Sequence, residues 1–236
     1  MKAGVISAIQ APLALERTAT YPNGPLRRAS ARDLRFPIPM VSTIHTRLRA
    51  ATRAVHLELE RHLAMSPEIS LVHYTRIIAL FYGFYRPIEA GLIRLDTLVP
   101  SRTFPLRARS ALLKRDLLSL GLAGQAISEL PTCSDLPGLR EPEHFAGCLY
   151  VLEGASLGGQ IIARSLRDKL ELTDRGGTAF FAGDGAATVA RWQCVLQWLE
   201  HVSQSGLHAE QIVTSASETF GSLLNWARSQ GLNHEH

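Results

Sequence analysis

From Ser42 onward the chain repeats one pattern: a long run with apolar residues three and four apart, then a short break carrying proline or glycine. Residues at that spacing share one face of a helix, and no segment shows the sustained two-residue alternation of a half-buried strand. Ile44, Leu48, Ala51, Val55, Leu59 and Leu63 lay out an amphipathic helix over about 43–65. A second covers about 70–98, and Pro87 inside it predicts a kink. Pro105 opens a third, to about 120, and a short helix precedes Pro131. Pro142 stands in the first turn of a long helix to about 171, and two more follow over roughly 185–203 and 207–230. The expected architecture is all-α, a single-domain helical bundle without internal repeats or low-complexity tracts.

Charge divides the chain unevenly. The net charge is +4, and residues 1–39 hold six basic groups (Lys2, Arg17, Arg27, Arg28, Arg32, Arg35) against two acids (Glu16, Asp33), which accounts for all of it. Residues 40–236 are therefore formally neutral, which argues against a nucleic-acid surface on the domain. Residues 1–39 also carry five of the 12 prolines and show no helical period, so they read as a disordered basic tail. A transit-like peptide is one reading of the tail; the preferred one is that Met40 is the true start, because MVSTIHTRLRAATRAVH opens directly into a helix. The domain is then 40–236. The tail has nothing like a secretory signal, and Cys133, Cys148 and Cys194 are odd in number and widely spaced. No disulfide frame or thiolate metal site is expected, and the location expected is cytoplasmic.

The stretch CLYVLEGASLGGQIIARSLRD places Gly154, Gly158 and Gly159 inside one helix. Three interior glycines give up about 2–3 kcal/mol of helix stability relative to alanine, so something there requires backbone instead of side chain. Either the helix packs tightly on a neighbour or a ligand approaches it. The mostly apolar run Phe145 to Ala163 also resembles a membrane span with a G-x-x-x-G face, but Glu153 stands at its middle. A carboxylate at a bilayer centre costs roughly 2.5–3.5 kcal/mol, and a buried helix without contact to a membrane is the reading adopted.

In the first helix, RLRAATRAVHLELERHL, His56 follows Arg49 by seven residues and Arg53 by three. At about 100° per residue all three fall within roughly 60° of one face. One imidazole with two guanidinium groups one and two turns away suits a flat, metal-centred ligand with carboxylate arms. The plainer alternatives are a histidine at the edge of the core, a solvated arginine face, and glycines that only permit close helix packing.

The motif L-R-x-A-T-R-x-V-H ending at His56 resembles the proximal helix of the heme oxygenase family, bacterial type. E-G-A-S-L-G-G-Q, residues 153–160, resembles its distal helix, and YTRIIALFYGFYRPIEAGLIR, residues 74–94, the helix between them. The likeness runs from about Ser42 to about Arg228. It implies a heme oxygenase fold, with heme between a proximal helix and a kinked distal one. His56 would be the axial iron ligand, Arg49 and Arg53 would lie near the propionates, Gly154 and Gly158 would line the oxygen side, and Gly159 would help the helix bend. Phe220 would form part of the wall. The implied activity is cleavage of heme, at once substrate and cofactor, to biliverdin, CO and iron, with O2 and electrons from a ferredoxin, flavodoxin or reductase. The biliverdin could feed a phytochrome or be released in iron acquisition.

Two departures qualify the likeness. Many members carry an aspartate directly after the first glycine, and here that position is Ala155, with Ser156 and water as the substitute proton route. Basic residues approaching from the penultimate helix are reduced to Arg191 in ARWQCVLQWLEH. A non-degrading heme carrier on the same fold is therefore the first alternative. A ferritin-like di-iron bundle is the second, but it needs two E-x-x-H motifs, and only Glu141 with His144 fits.

Overall fold

The structure is a computed structural model that describes residues 43–65, 69–99, 102, 104–172 and 176–232. The tail 1–39 and the expected start at Met40 lie outside the described residues. Those described form eight α-helices: α1 (Thr43–Leu63), α2 (Leu71–Leu95), α3 (Arg109–Ser119), α4 (Gly124–Ser128), α5 (Pro142–Leu170), α6 (Ala179–Ala182), α7 (Thr188–Ser205) and α8 (Ala209–Ser229). No strand occurs among them, so the all-α expectation holds.

Local chemistry explains where the helices begin. The Ser70 hydroxyl accepts the His73 N–H at 3.1 Å and caps α2. Glu141 and His144 cap α5 reciprocally, the Glu141 N–H donating to His144 Nδ1 at 3.0 Å, with Pro142 in the first turn. The one E-x-x-H motif is thus a helix cap, and no group of three or more metal-ligating side chains occurs among the described residues. The di-iron alternative falls with it.

One helix start and one short helix differ from expectation. α3 starts at Arg109, not at Pro105, because Glu89 of α2 fixes its first turn: its carboxylate accepts the Ser110 N–H at 3.0 Å and also the Ser110 hydroxyl. Pro105 stays in the preceding loop. α6 has only four residues, too few to show a period, and exists because Asp116 of α3 accepts the N–H groups of Ala179 and Phe180, each at 2.8 Å. α2 runs unbroken through Pro87. The carbonyl that proline cannot serve, that of Gly83, accepts the Cys133 N–H at 3.0 Å from the loop before α5.

α8 is the shared neighbour of α1 and α5, packing along both, while α7 and α6 cover other sides of α5. The α5–α8 crossing occurs at Gly147: a Cβ there would lie 2.6 Å from the backbone N of Ala216 and the backbone O of Ile212. Tyr74, Phe84, Tyr85 and Phe145 are the largest fully buried side chains. α5 is long and apolar enough to cross a membrane by length and composition, but 67% of that window is buried inside the fold.

Candidate ligand site between α1 and α5

On α1 the imidazole of His56 is half-buried, its side chain 21% exposed. The ring of Phe220 on α8 meets it edge-on, centroids 5.3 Å apart at 84°. Glu60, one turn on, places Oε1 3.6 Å from Nδ1, while its Oε2 is buried without a hydrogen-bond partner. Burial lowers the His56 pKa and raises that of Glu60, so desolvation outweighs their mutual attraction. Burial thus favours the neutral imidazole, whose Nδ1 lies toward Glu60. Arg49 and Arg53 are both exposed on α1.

The α5 glycines are not equivalent. At Gly159 a Cβ would lie 2.7 Å from the carbonyl oxygen of Phe181, so the residue is glycine to let α6 pass close, as at Gly147 with α8. At Gly154 a Cβ would stand 3.5 Å from Trp192 Cη2, ordinary van der Waals contact. No protein neighbour requires glycine at 154. Gly158, one turn on, is buried. Ser156 is buried against Gly183, where an added Cβ would come within 3.4 Å of the Ser156 Cβ. That is about 200° around the helix from Gly154, so the hydroxyl leaves α5 on another side. Ala155 is exposed. The helix itself runs without interruption from Pro142 to Leu170.

Beside Gly154 lies a charge cluster whose members are far apart in the sequence. Glu153, 5% exposed, accepts from Arg109 Nη2 at 3.0 Å and from Arg191 through Nε at 2.9 Å and Nη2 at 2.5 Å. Asp184 adds contacts to Arg109 at 3.1 Å and Arg191 at 3.6 Å. Arg191, the one basic residue expected to face a ligand from α7, is thus turned inward, and its Nη2 also donates to the Pro105 carbonyl at 3.0 Å. Removing one partner from such a buried set costs about 3–5 kcal/mol, because an uncompensated charge remains. The signal was present: a carboxylate in an apolar run demands a buried cation.

A second group joins three helices. His45 of α1, Tyr150 of α5 and Trp192 of α7 bring their rings together, with centroids 5.5 Å apart for Tyr150–Trp192, 6.0 Å for His45–Trp192 and 6.2 Å for His45–Tyr150. Such pairs contribute roughly 0.5–1.5 kcal/mol each beyond their burial. Burial raises the Tyr150 pKa, with Thr52 and the Arg49 guanidinium across on α1 opposing the shift. His45, Arg49, Thr52 and His56 all fall within about 60° of one α1 face, so this group and His56 mark two ends of one stripe.

The side chains are of the kind that a planar, metal-centred ligand would use: one imidazole and two exposed arginines on α1, and on α5 a glycine that its neighbours do not require. The fold that carries them is an all-α helical bundle. The chain belongs to the heme oxygenase family, whose model matches residues 42–229. The crystal structure of heme oxygenase 2 from Chlamydomonas reinhardtii without heme is similar in fold, with a TM-score of 0.59 and 18% identity over 80% of this chain and 98% of that one. No curated protein matches the chain.

Proposed function

We propose that the protein is a biliverdin-producing heme oxygenase, which cleaves heme to biliverdin, CO and iron with O2 and an external reductant. The observation that carries this reading is Gly154: Gly147 and Gly159 are glycine because another backbone presses on them, whereas at 154 a Cβ would be tolerated. Heme, bound as substrate, supplies the iron that activates oxygen and the carbon that is attacked.

The chain's own residues hold and shield it. His56, neutral and braced by Phe220, offers Nε2 to iron. Arg49 and Arg53 present cations to the propionates. Gly154 and Gly158 keep side chains out of the oxygen side, where backbone amides and water can donate without an acid that would favour O–O cleavage. Gly159 and Ser156 we assign to packing, against α6 and the loop after it. The electron donor is a ferredoxin, flavodoxin or reductase, the biliverdin goes to a phytochrome or accompanies iron release, and the setting is cytoplasmic.

Ala155 favours one second reading, a heme carrier that does not degrade its ligand, because this position provides no titratable group for proton delivery. Adding hemin and then a reductant under air separates the two. A Soret band converted to a biliverdin spectrum supports the enzyme, a persistent Soret band supports the carrier, and no Soret band removes both. His56→Ala is expected to weaken hemin binding and abolish turnover.

A further inference from the structure

Consecutive residues of α7 grip consecutive residues of α5 in different ways. Arg191 is buried and clamps Glu153 through two nitrogens, at 2.9 and 2.5 Å, with a third bond to the Pro105 carbonyl at 3.0 Å. Trp192, only half-buried, rests on Gly154, with its Cη2 and Cζ3 atoms 3.5 and 3.7 Å from where a Cβ would be. The first contact anchors the α7 backbone, since leaving Glu153 would strand charge in the interior. The second is a set of ring contacts with Tyr150 and His45, which a side-chain rotation can exchange.

The indole therefore covers Gly154, a position where no neighbour requires glycine. Any flat ligand lying against Gly154 must take the place of that ring. Because Arg191 holds the adjacent backbone, space arises by turning the Trp192 side chain and not by withdrawing α7.

Resting on the reading of this site as porphyrin-binding, we propose that Trp192 is a gate: its indole covers Gly154 and swings aside, on a backbone anchored by the Arg191–Glu153 pair, to admit the porphyrin. Tyr150 and His45 form the frame in which the gate closes.

Stopped-flow mixing of the full-length protein with hemin, followed at the Soret band, tests it. Trp192→Ala should speed association roughly tenfold, the factor expected for a gate open about one-tenth of the time, and Trp192→Phe should fall between. An association rate unchanged in Trp192→Ala overturns the gate. A second measurement does not depend on how that variant folds: the protein is labelled with 5-fluorotryptophan and titrated with diamagnetic zinc protoporphyrin. The 19F resonance missing from Trp192→Phe is expected to move to a new position as the porphyrin binds. Porphyrin binding with that resonance unmoved overturns the gate and leaves the porphyrin reading standing. Absence of any porphyrin binding by the wild-type protein overturns both.

Discussion

Gly154 and Gly159 share a helix and a residue type, yet the same substitution should push them in opposite directions. At 159 an added methyl would meet the Phe181 backbone at 2.7 Å, and overpacking of that kind costs about 1–3 kcal/mol. At 154 it would touch only the edge of Trp192, so Gly154→Ala should stabilise the hemin-free protein by about 0.5–1 kcal/mol through helix propensity. The same substitution should weaken hemin binding at least tenfold, by roughly 1.4 kcal/mol or more, because the methyl stands where the ligand would lie. Urea unfolding and Soret titration of the two variants check both signs. His56 supplies the pH dependence. Burial lowers its pKa below 6.5, so the stability tied to its neutral ring is complete above 6.5 and is lost as pH falls below that value. An NMR titration of the hemin-free protein should place its midpoint below 6.5. A midpoint above it would mean that the Glu60 carboxylate, 3.6 Å away, outweighs desolvation.

At the scale of the element, α6 is the clearest case of a helix made by its partner. Asp116 satisfies the two N–H groups that open it, and α6 in turn delivers Phe180, whose ring meets Phe81 and Tyr85 with centroids 5.5 and 5.1 Å apart. Asp116→Ala leaves both buried donors unpaired, at about 1–3 kcal/mol each. Burial already raises the Asp116 pKa, so part of that loss is returned when the carboxylate is removed. A net destabilisation of about 2–3 kcal/mol is expected by urea unfolding. The long helices were legible because their apolar period spans several turns, whereas four residues carry no period and α6 was not seen. Pro105 does not start α3, because the signal that places the helix, the Glu89 carboxylate on α2, lies 21 residues before the Ser110 that it fixes. In the site, Arg49, Arg53 and His56 could be aligned on one face from spacing alone. Glu153 announced that it needed a cation, but its partners lie 44 and 38 residues away, and nothing local names them. The contact of His56 with Phe220 likewise depends on how α8 docks on α1, which periodicity does not encode.

For the whole molecule, a ligand seated between α1 and α5 would add contacts between two helices that already share α8 as a neighbour, so binding should be felt as global stability. A ligand that binds only the folded state stabilises by about 2.7 kcal/mol at a free concentration one hundred times its Kd. For a domain of about 190 residues each kcal/mol shifts Tm by about 2–4 °C, so saturating hemin should raise Tm by about 5–10 °C. The charge distribution sharpens this test. All of the +4 net charge lies in residues 1–39, whereas the family match begins at residue 42. Hemin carries two carboxylates, and a basic segment can attract it electrostatically without belonging to the site. At 0.15 M ionic strength charges separated by more than about 8 Å are largely screened, so at that salt a protein beginning at Met40 should show the same hemin-induced rise in Tm as the full chain. At ionic strengths near 0.01 M, where charges still interact out to about 30 Å, the full chain should associate with hemin faster, and by a margin that salt removes. A truncated protein that loses the Tm shift at 0.15 M would place part of the binding site in residues 1–39, and the pair of helices α1 and α5 would no longer suffice to hold the ligand.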